Sequence, residues 1–173
     1  MKDNKISGFN TALQNVEERY SWVNDMINER KQLVLKYMEL INPQMKISQS
    51  DDSMDQQVLD PSYEQVVDFC DALVDYISRG HFDLYPKIVE LIENASGRSL
   101  SIAHRVMPRI DKTTEVLLQF ADRYAEDLDS AKMKTLRSDL SKAGQLLEQR
   151  FRNEDRLIIG LRLVNAIVAT PRN

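Results

Sequence analysis

Apolar residues recur at intervals of three and four in nearly every segment of this 173-residue chain. At 100° per residue this spacing places them on one face of a helix, whereas a strand requires strict alternation. No segment sustains such alternation, and Gly and Pro number only five each. The sequence therefore predicts an all-α fold: a single-domain antiparallel bundle of about six to seven helices, estimated from these stripes, over residues 1–173.

The helix boundaries follow from the ends of the apolar stripes and from capping signals. For the central helix, Asp60 is predicted as N-cap, Pro61 as first residue and Gly80 as closing residue. Asp83, Ser99 and Ser130 are predicted to cap later helices. Two segments, 1–9 and 44–59, are predicted to be flexible. The predicted helices span 11–41, 60–80, 83–94, 99–107, 108–128, 130–151 and the residues beyond 153, and the continuity of the last two is left open.

The helix predicted for residues 60–80 has an uneven distribution of charge. Seven residues are predicted to face the core: Tyr63, Val66, Val67, Cys70, Leu73, Val74 and Ile77. On another side, within an arc of roughly 60°, lies a row of acids: Glu64, Asp68, Asp71 and Asp75. Phe69 and Tyr76 are predicted to lie on the flank between the two, only partly covered. From Ile47 to Ser78 the chain has eight acids and no Lys or Arg.

Such an acidic surface attracts a basic partner protein and repels nucleic acid. A solvated face that merely aids solubility is the alternative interpretation. Arg30 lies near the apolar stripe of the first helix. It is predicted to be either a buried member of a structural ion pair or a residue at the rim of the core. Trp22 lies beside the same stripe.

Several classes of function lack their motifs. Neither His81 nor His104 follows a Glu at the spacing of di-metal bundles, and the sequence has no Gly-rich phosphate loop, G-x-S-x-G or C-x-x-C. Cys70 is predicted to be a buried hydrophobe, and His81 a hydrogen-bonding residue at a helix end. We therefore expect no catalytic residue, no cofactor and no metal, and a protein that is not an enzyme.

Charge and hydropathy limit the partners further. The sequence pI is near 5.3, and we see no clustered Lys/Arg stripe in the sequence, so no direct contact with nucleic acid is expected. No run approaches the ~20 apolar residues of a membrane span, and the polar N-terminus is unlike a signal peptide. We expect a cytoplasmic protein with no membrane partner, and a monomer.

Three parts of the chain are similar to one known family, the regulator of sigma D (Rsd)/AlgQ family of anti-sigma factors. Its DFC…LVDY.S.GHF..Y signature resembles Asp68-Phe69-Cys70, Leu73-Val74-Asp75-Tyr76, Ser78, Gly80-His81-Phe82 and Tyr85. Its W…RK.L segment resembles Trp22, Arg30-Lys31 and Leu33, and its RF..ED.LI segment resembles Arg150-Phe151, Glu154-Asp155 and Leu157-Ile158.

The resemblance implies a stationary-phase anti-sigma factor that binds the primary sigma factor of bacterial RNA polymerase. Binding would chiefly involve the C-terminal domain of sigma, which recognises the −35 element, and would block promoter and core-polymerase contacts in favour of alternative sigma factors. A helical adaptor that binds another basic or metabolic protein is the alternative. The candidate sigma-binding residues are Asp75, Asp68, Asp71, Glu64, Phe69, Tyr76 and Phe82. The candidate structural or rim residues are Trp22, Arg30, His81, Tyr85, Arg150, Phe151, Glu154 and Asp155.

Overall fold

A computed structural model describes residues 20–42, 60–94 and 97–168, and these residues contain helices and no strand. The elements are α1 (Ser21–Ile41), α2 (Tyr63–Arg79), a π-helical segment (Gly80–Leu84), α3 (Tyr85–Glu93), α4 (Gly97–Ala125) and α5 (Ser130–Val168). The all-α prediction is confirmed. The count of six to seven helices is not, since α2, the π-helical segment and α3 form one unbroken stretch. The segments predicted to be flexible, 1–9 and 44–59, lie outside the described residues.

Two pairs of consecutive helices, α1 with α2 and α4 with α5, pack antiparallel. On α1 and α2, Lys36 pairs with Asp68, while Glu29 pairs with Arg79. Between α4 and α5, Thr113 contacts Arg150, and Tyr124 contacts Asp139. In each case a higher number on one helix meets a lower number on the other, so the two helices run in opposite directions.

The first turns of α2 and α5 are capped by other residues than predicted. Ser62 caps α2: its hydroxyl accepts from the Gln65 amide at 3.2 Å, and the Gln65 side chain accepts from the Ser62 amide at 3.0 Å. This reciprocal capping box leaves Asp60 outside the helix. At α5, the Asp129 carboxylate accepts from the Lys132 amide at 2.7 Å, so Asp129, and not Ser130, is the capping side chain.

Gly80 does not close α2, which corrects the sequence prediction. Its φ of −56° and ψ of −52° are ordinary right-handed helical values, and the chain continues into the π-helical segment, where the Tyr85 amide donates to the Gly80 carbonyl. Asp83 lies within this segment and so caps no helix. A Cβ atom on Gly80 would lie 2.7 Å from the Tyr85 hydroxyl oxygen. Glycine is therefore required for the close approach of that ring.

The two longest helices pass through residues where the sequence predicted a boundary or left one open. Pro108 lies inside α4 and is exposed, so water can solvate the carbonyl that the missing amide leaves unbonded. The predicted boundary at Pro108 is therefore wrong. Helix α5 continues past Asn153 without interruption, which answers the question of continuity.

The core consists of two hydrophobic clusters. The first contains Phe69, Leu117 and Leu147, and the second contains Met26 and Leu157. Helices α1, α4 and α5 each contribute residues to both clusters, whereas α2 packs in the first cluster and α3 in the second. Polar side chains meet between the two clusters.

Candidate functional site

The four acids of the central helix all lie on its solvent-exposed side. Glu64, Asp68, Asp71 and Asp75, called here the acidic row, are each exposed. Because the opposite side of α2 is buried in the core, the row forms a continuous surface of one sign along the helix.

One cation reaches the acidic row from the neighbouring helix. Lys36 on α1 forms an ion pair with Asp68. In the described part of the chain, Glu64, Asp71 and Asp75 form no ion pair. Most of the row's charge is therefore available to a partner.

A groove of about 670 Å³ runs beside the N-terminal half of the row. Glu39 from α1 lines it together with Glu64, Asp68 and Asp71 from α2. Four carboxylates around one groove produce a local field that favours a cationic side chain. Glu39 is not part of the row predicted from the sequence, since only the folded chain places α1 beside α2.

Two apolar side chains lie exposed along the same region. Val74 is 36% exposed and Phe82 is 80% exposed. The ring of His81 packs edge-on against Phe82 with the centroids 5.2 Å apart, and its Nδ1 lies 3.9 Å from an Asp111 oxygen. Val74 and Tyr63, which is 44% exposed, were both predicted to face the core, and that prediction is wrong for both. An exposed aromatic near a row of carboxylates suits a protein partner with both apolar and basic groups.

Phe69 and Tyr76 do not lie on a partly covered flank, which corrects the sequence prediction. Phe69 is fully buried and Tyr76 is 5% exposed. The Phe69 ring packs between Tyr37, at 5.9 Å, and Phe120, at 6.0 Å. The buried face of α2 is thus rotated about the helix axis relative to the predicted stripe. The rings of Phe69 and Tyr76 lie in the core, and Val74 does not. Neither aromatic presents a surface for direct contact with a partner.

A set of buried polar residues separates the two hydrophobic clusters. This polar layer consists of Arg30, Tyr76, Tyr85, Thr113, Arg150 and Glu154. Glu154 is 1% exposed and Arg150 is fully buried. Each residue of the layer on α1, α4 and α5 lies in the sequence between members of the first cluster and members of the second.

Glu154 is the acceptor at the centre of the polar layer. Its Oε2 accepts from the Tyr76 hydroxyl at 2.5 Å and from Arg30 at 3.0 Å. Its Oε1 accepts from the Tyr85 hydroxyl at 2.5 Å and from Arg150 at 3.1 Å. Four donors on one buried carboxylate compensate for its removal from water.

Arg150 is held by the same layer. It donates to the Tyr85 hydroxyl at 2.8 Å and to the Thr114 hydroxyl at 2.7 Å, with a longer bond to Thr113 at 3.3 Å. Burial, followed by the nearby Glu154 carboxylate, raises the pKa of Tyr76 and of Tyr85 well above the ordinary tyrosine value. Both phenols remain protonated donors at neutral pH, so the layer has a structural role.

Arg30 and Trp22, both predicted to be structural or rim residues, lie against the core. Arg30 forms its ion pairs with Glu154 and Asp155, and its guanidinium lies 4.8 Å above the Phe151 ring. The partners of Arg30 are therefore these two carboxylates and not Asp75. Trp22 is partly buried against the second cluster. The sequence signal for the layer was present, since Arg150 and Glu154 interrupt the apolar stripe of α5 at a spacing of four.

The described ranges contain neither a metal-binding group of side chains nor a membrane-spanning helix. Within residues 20–42, 60–94 and 97–168, no three or more His, Cys, Asp or Glu side chains are grouped so that they could hold a metal ion. No helix in those ranges has the length and apolar character needed to cross a bilayer.

Comparison with known proteins identifies relatives over most of the chain. Residues 6–162 match the family model described as Regulator of RNA polymerase sigma(70) subunit, Rsd/AlgQ. The Regulator of sigma D of Yersinia enterocolitica is 30% identical over 152 residues, which is 84% of this chain and 86% of that protein. The Regulator of sigma D of Shigella dysenteriae is 31% identical over 154 residues, 85% of this chain and 90% of that protein. These relatives are named as regulators of a sigma factor rather than as enzymes.

Proposed function

The chain belongs to the Rsd/AlgQ family of regulators of the RNA polymerase sigma(70) subunit, and we propose that it is an anti-sigma factor. Its target is the primary sigma factor, bound chiefly through the C-terminal domain that recognises the −35 promoter element. The binding surface is the exposed face of α2, formed by the acidic row with Val74 and Phe82.

One observation carries this assignment of the surface. Glu64, Asp71 and Asp75 are exposed and form no ion pair within the described residues. Isolated surface carboxylates are common, but α2 carries no Lys or Arg until its last residue, Arg79. Arg79 lies four residues after Asp75, at the spacing of an i,i+4 pair, but it pairs with Glu29 instead. The row therefore favours a cationic partner surface.

The chemistry of the proposed target complements this row. A helix-turn-helix domain that binds promoter DNA owes much of its affinity to Lys and Arg side chains that contact phosphate. The acidic row would occupy those same cations. Phe82, which is 80% exposed, would supply an apolar anchor at the end of the row, since interfaces combine buried aromatic anchors with surrounding charge.

The proposed mechanism is competitive occlusion. A sigma factor whose C-terminal domain is covered cannot contact the −35 element or dock correctly on the core polymerase. Transcription would then shift towards promoters served by alternative sigma factors. Phe69 and Tyr76 take no direct part in this proposal, because both are buried, and they act by holding α2 in place.

The proposal is tested by titrating the full chain against the isolated C-terminal domain of the primary sigma factor. We expect saturable one-to-one binding that a −35 promoter duplex displaces, because both ligands compete for the same cations. Absence of binding at micromolar concentrations would overturn the proposal. Binding that duplex DNA does not affect would instead favour a contact outside the DNA-reading surface, and the alternative of an adaptor for another basic protein would then be tested.

A further inference from the structure

A cationic surface lies between α4 and α5, on helices other than the one that carries the acidic row. Its cations, called here the basic seam, are Arg105, Arg109, Lys112, Arg152 and Arg156. The first three are on α4 at spacings of four and three, and the other two are on α5 at a spacing of four. All five are exposed. This corrects the sequence analysis, which found no clustered Lys/Arg stripe, because the two halves of the seam meet only when α4 and α5 pack antiparallel.

Two clefts open along the seam and share residues, so they form one groove. The first, of about 260 Å³, is lined by Ile102, Val106, Ile159 and three of the arginines. The second, of about 330 Å³, shares Arg109 and Arg156 with the first and adds Lys112 and Arg152. No acidic residue of the described chain lines either cleft.

Part of this charge is not neutralised by the protein itself. Arg152 pairs with Glu148, and Arg156 donates to Asn153 at 3.0 Å. Within the described ranges, Arg109 and Lys112 form no ion pair and no side-chain hydrogen bond. A chain with a net charge of −4 thus concentrates positive charge around one groove.

The residues that line the groove favour an acidic helix over single-stranded nucleic acid as its occupant. The floor of the groove is apolar at its first cleft, where Ile159 is 42% exposed beside Ile102 and Val106. Neither cleft is lined by an aromatic ring, so the groove lacks the stacking surface that single-stranded nucleic acid uses. Two antiparallel helices with an apolar seam and charged edges form a site onto which a third helix can pack.

We propose that the basic seam is a second docking site, which binds an acidic amphipathic helix of a partner protein. The apolar residues of that helix contact Ile102, Val106 and Ile159, and its Asp and Glu side chains flank them and meet the cations of the seam. The α4 side of the groove, from Ile102 to Lys112, spans about 15 Å, which matches about three turns of such a helix.

The probe is a fluorescein-labelled synthetic helix of about 18 residues, with Leu at helical spacing on one face and Glu on both flanks. A second peptide carries Gln at every Glu position. We expect the Glu peptide to bind the full chain at least about tenfold more tightly than the Gln peptide, because the seam contributes charge complementarity.

The test variant is Arg109→Glu with Lys112→Glu, two exposed residues that form no ion pair and no side-chain hydrogen bond in the described chain. Its matched control is Lys31→Glu with Lys134→Glu, which changes the net charge equally at exposed sites outside both clefts. We expect the test variant to lose at least about tenfold in affinity for the Glu peptide and the control to stay within about twofold. Binding of the sigma C-terminal domain is measured on the same variants and should not weaken, so failure here is distinguishable from failure of the proposed function.

Three results would overturn the proposal. Equal affinity for the Glu and Gln peptides would show that the seam does not recognise the negative charge of the helix. Tighter binding of a single-stranded oligonucleotide than of the Glu peptide, lost in the test variant, would assign the seam to nucleic acid. Self-association in sedimentation that the test variant abolishes, together with no peptide binding, would assign it to a second copy of the chain.

Discussion

At Glu154, two arginines and two tyrosines converge on a single buried carboxylate. Its four bonds are 2.5 to 3.1 Å long. A buried ion pair of this kind is weak evidence for a net gain in stability, since both charges lose hydration. Removing one partner is a different matter, because the remaining charges stay buried without compensation.

We therefore predict that Glu154→Gln lowers the free energy of unfolding by about 3 kcal/mol or more, as expected when a buried pair loses one charge. The control is Asp155→Asn, the next residue in the chain and a partner of the same Arg30. Because the Asp155 side chain is 55% exposed, its loss should cost no more than about 1 kcal/mol. Urea unfolding of the two variants measures both values, and equal losses would contradict a central role for Glu154.

Cys70 provides a test through pH. Burial, and then the charge of Asp71, raises the pKa of the Cys70 thiol from its ordinary 9.0 to about 12. The protonated thiol is thus favoured by folding, and this contribution is fully present below pH 9.0 and is lost as the pH rises towards about 12. Between these values, the free energy of unfolding should fall more steeply with pH in the wild type than in Cys70→Ala. Parallel slopes would show that the thiol titrates normally.

Asp75 separates recognition from stability. It is exposed, and Arg30 pairs with Glu154 and Asp155 and not with Asp75. We predict that Asp75→Asn leaves the melting temperature unchanged and weakens binding of the sigma C-terminal domain, by on the order of 2 kcal/mol if the contact is desolvated. Calorimetric melting and titration of the same sample measure both quantities.

The control for Asp75 is Asp122→Asn, an exposed carboxylate on α4 without an ion pair in the described chain. It removes the same charge outside the acidic row and should bind sigma normally. Equal weakening by both variants would indicate a general effect of net charge, and no weakening by either would leave the acidic row as a solvated face.

At the level of single residues, the sequence predicted the exposed acids well and the aromatics poorly. Glu64, Asp68, Asp71 and Asp75 are exposed as predicted, because a carboxylate without a partner is rarely buried. Whether an aromatic is covered depends on what another helix brings to it. Phe120 and Phe151, which cover Phe69 and Tyr76, are more than fifty residues away in the chain, and helical periodicity carries no information on such pairs.

At the level of elements, the connection between α2 and α3 is constrained both by its backbone and by a ring packed against it. The π-helical segment adds one residue to a turn, and Gly80 allows the Tyr85 ring to pass close to the backbone. The same ring is fixed at its hydroxyl by Glu154 and Arg150. It cannot move away from an added methyl group without breaking bonds in the polar layer.

Gly80→Ala is accordingly predicted to destabilise the fold, although alanine is the better helix former. The added Cβ would lie 2.8 Å from the Tyr85 ring carbon that bears the hydroxyl, and overpacking of this kind costs about 1–3 kcal/mol. Gly160→Ala is the control, because its Cβ would meet the Ile92 Cδ1 at 3.2 Å, the free end of a flexible side chain, and the Ile102 Cγ2 at an ordinary 3.9 Å. Thermal unfolding should show a lower melting temperature for the first variant and an equal or higher one for the second.

Helix existence followed from the sequence more reliably than helix boundaries did. The stripes of α2, α4 and α5 were recognised, but Gly80 and Pro108 were interpreted as breaks. Both residues permit a break without requiring one. Gly80 is a glycine because of a tertiary contact with Tyr85, and Pro108 is tolerated because it faces solvent. Local propensity cannot distinguish these cases from true helix ends.

At the level of the whole molecule, charge of the two signs is separated. The acidic row is on α2 and the basic seam is on α4 and α5, although the net charge is only −4. Such a distribution orients a charged partner before contact, and it does so more strongly at low ionic strength. Two oppositely charged partners would be directed to different helices of the same chain.

This separation leads to a kinetic prediction for sigma binding. The field of the acidic row extends about 30 Å at 10 mM salt and about 8 Å at physiological salt. Raising the salt should therefore slow association with the basic sigma domain and leave dissociation nearly unchanged, because steering acts before contact. Asp71→Asn, which removes an exposed acid without an ion pair in the described chain, should reduce both the association rate and its dependence on salt. Stopped-flow measurement of both rates over a salt series tests this. A variant that changed only the dissociation rate would mean that Asp71 lies in a desolvated contact, and Asp71 and not Asp75 would then be the residue at the centre of the interface.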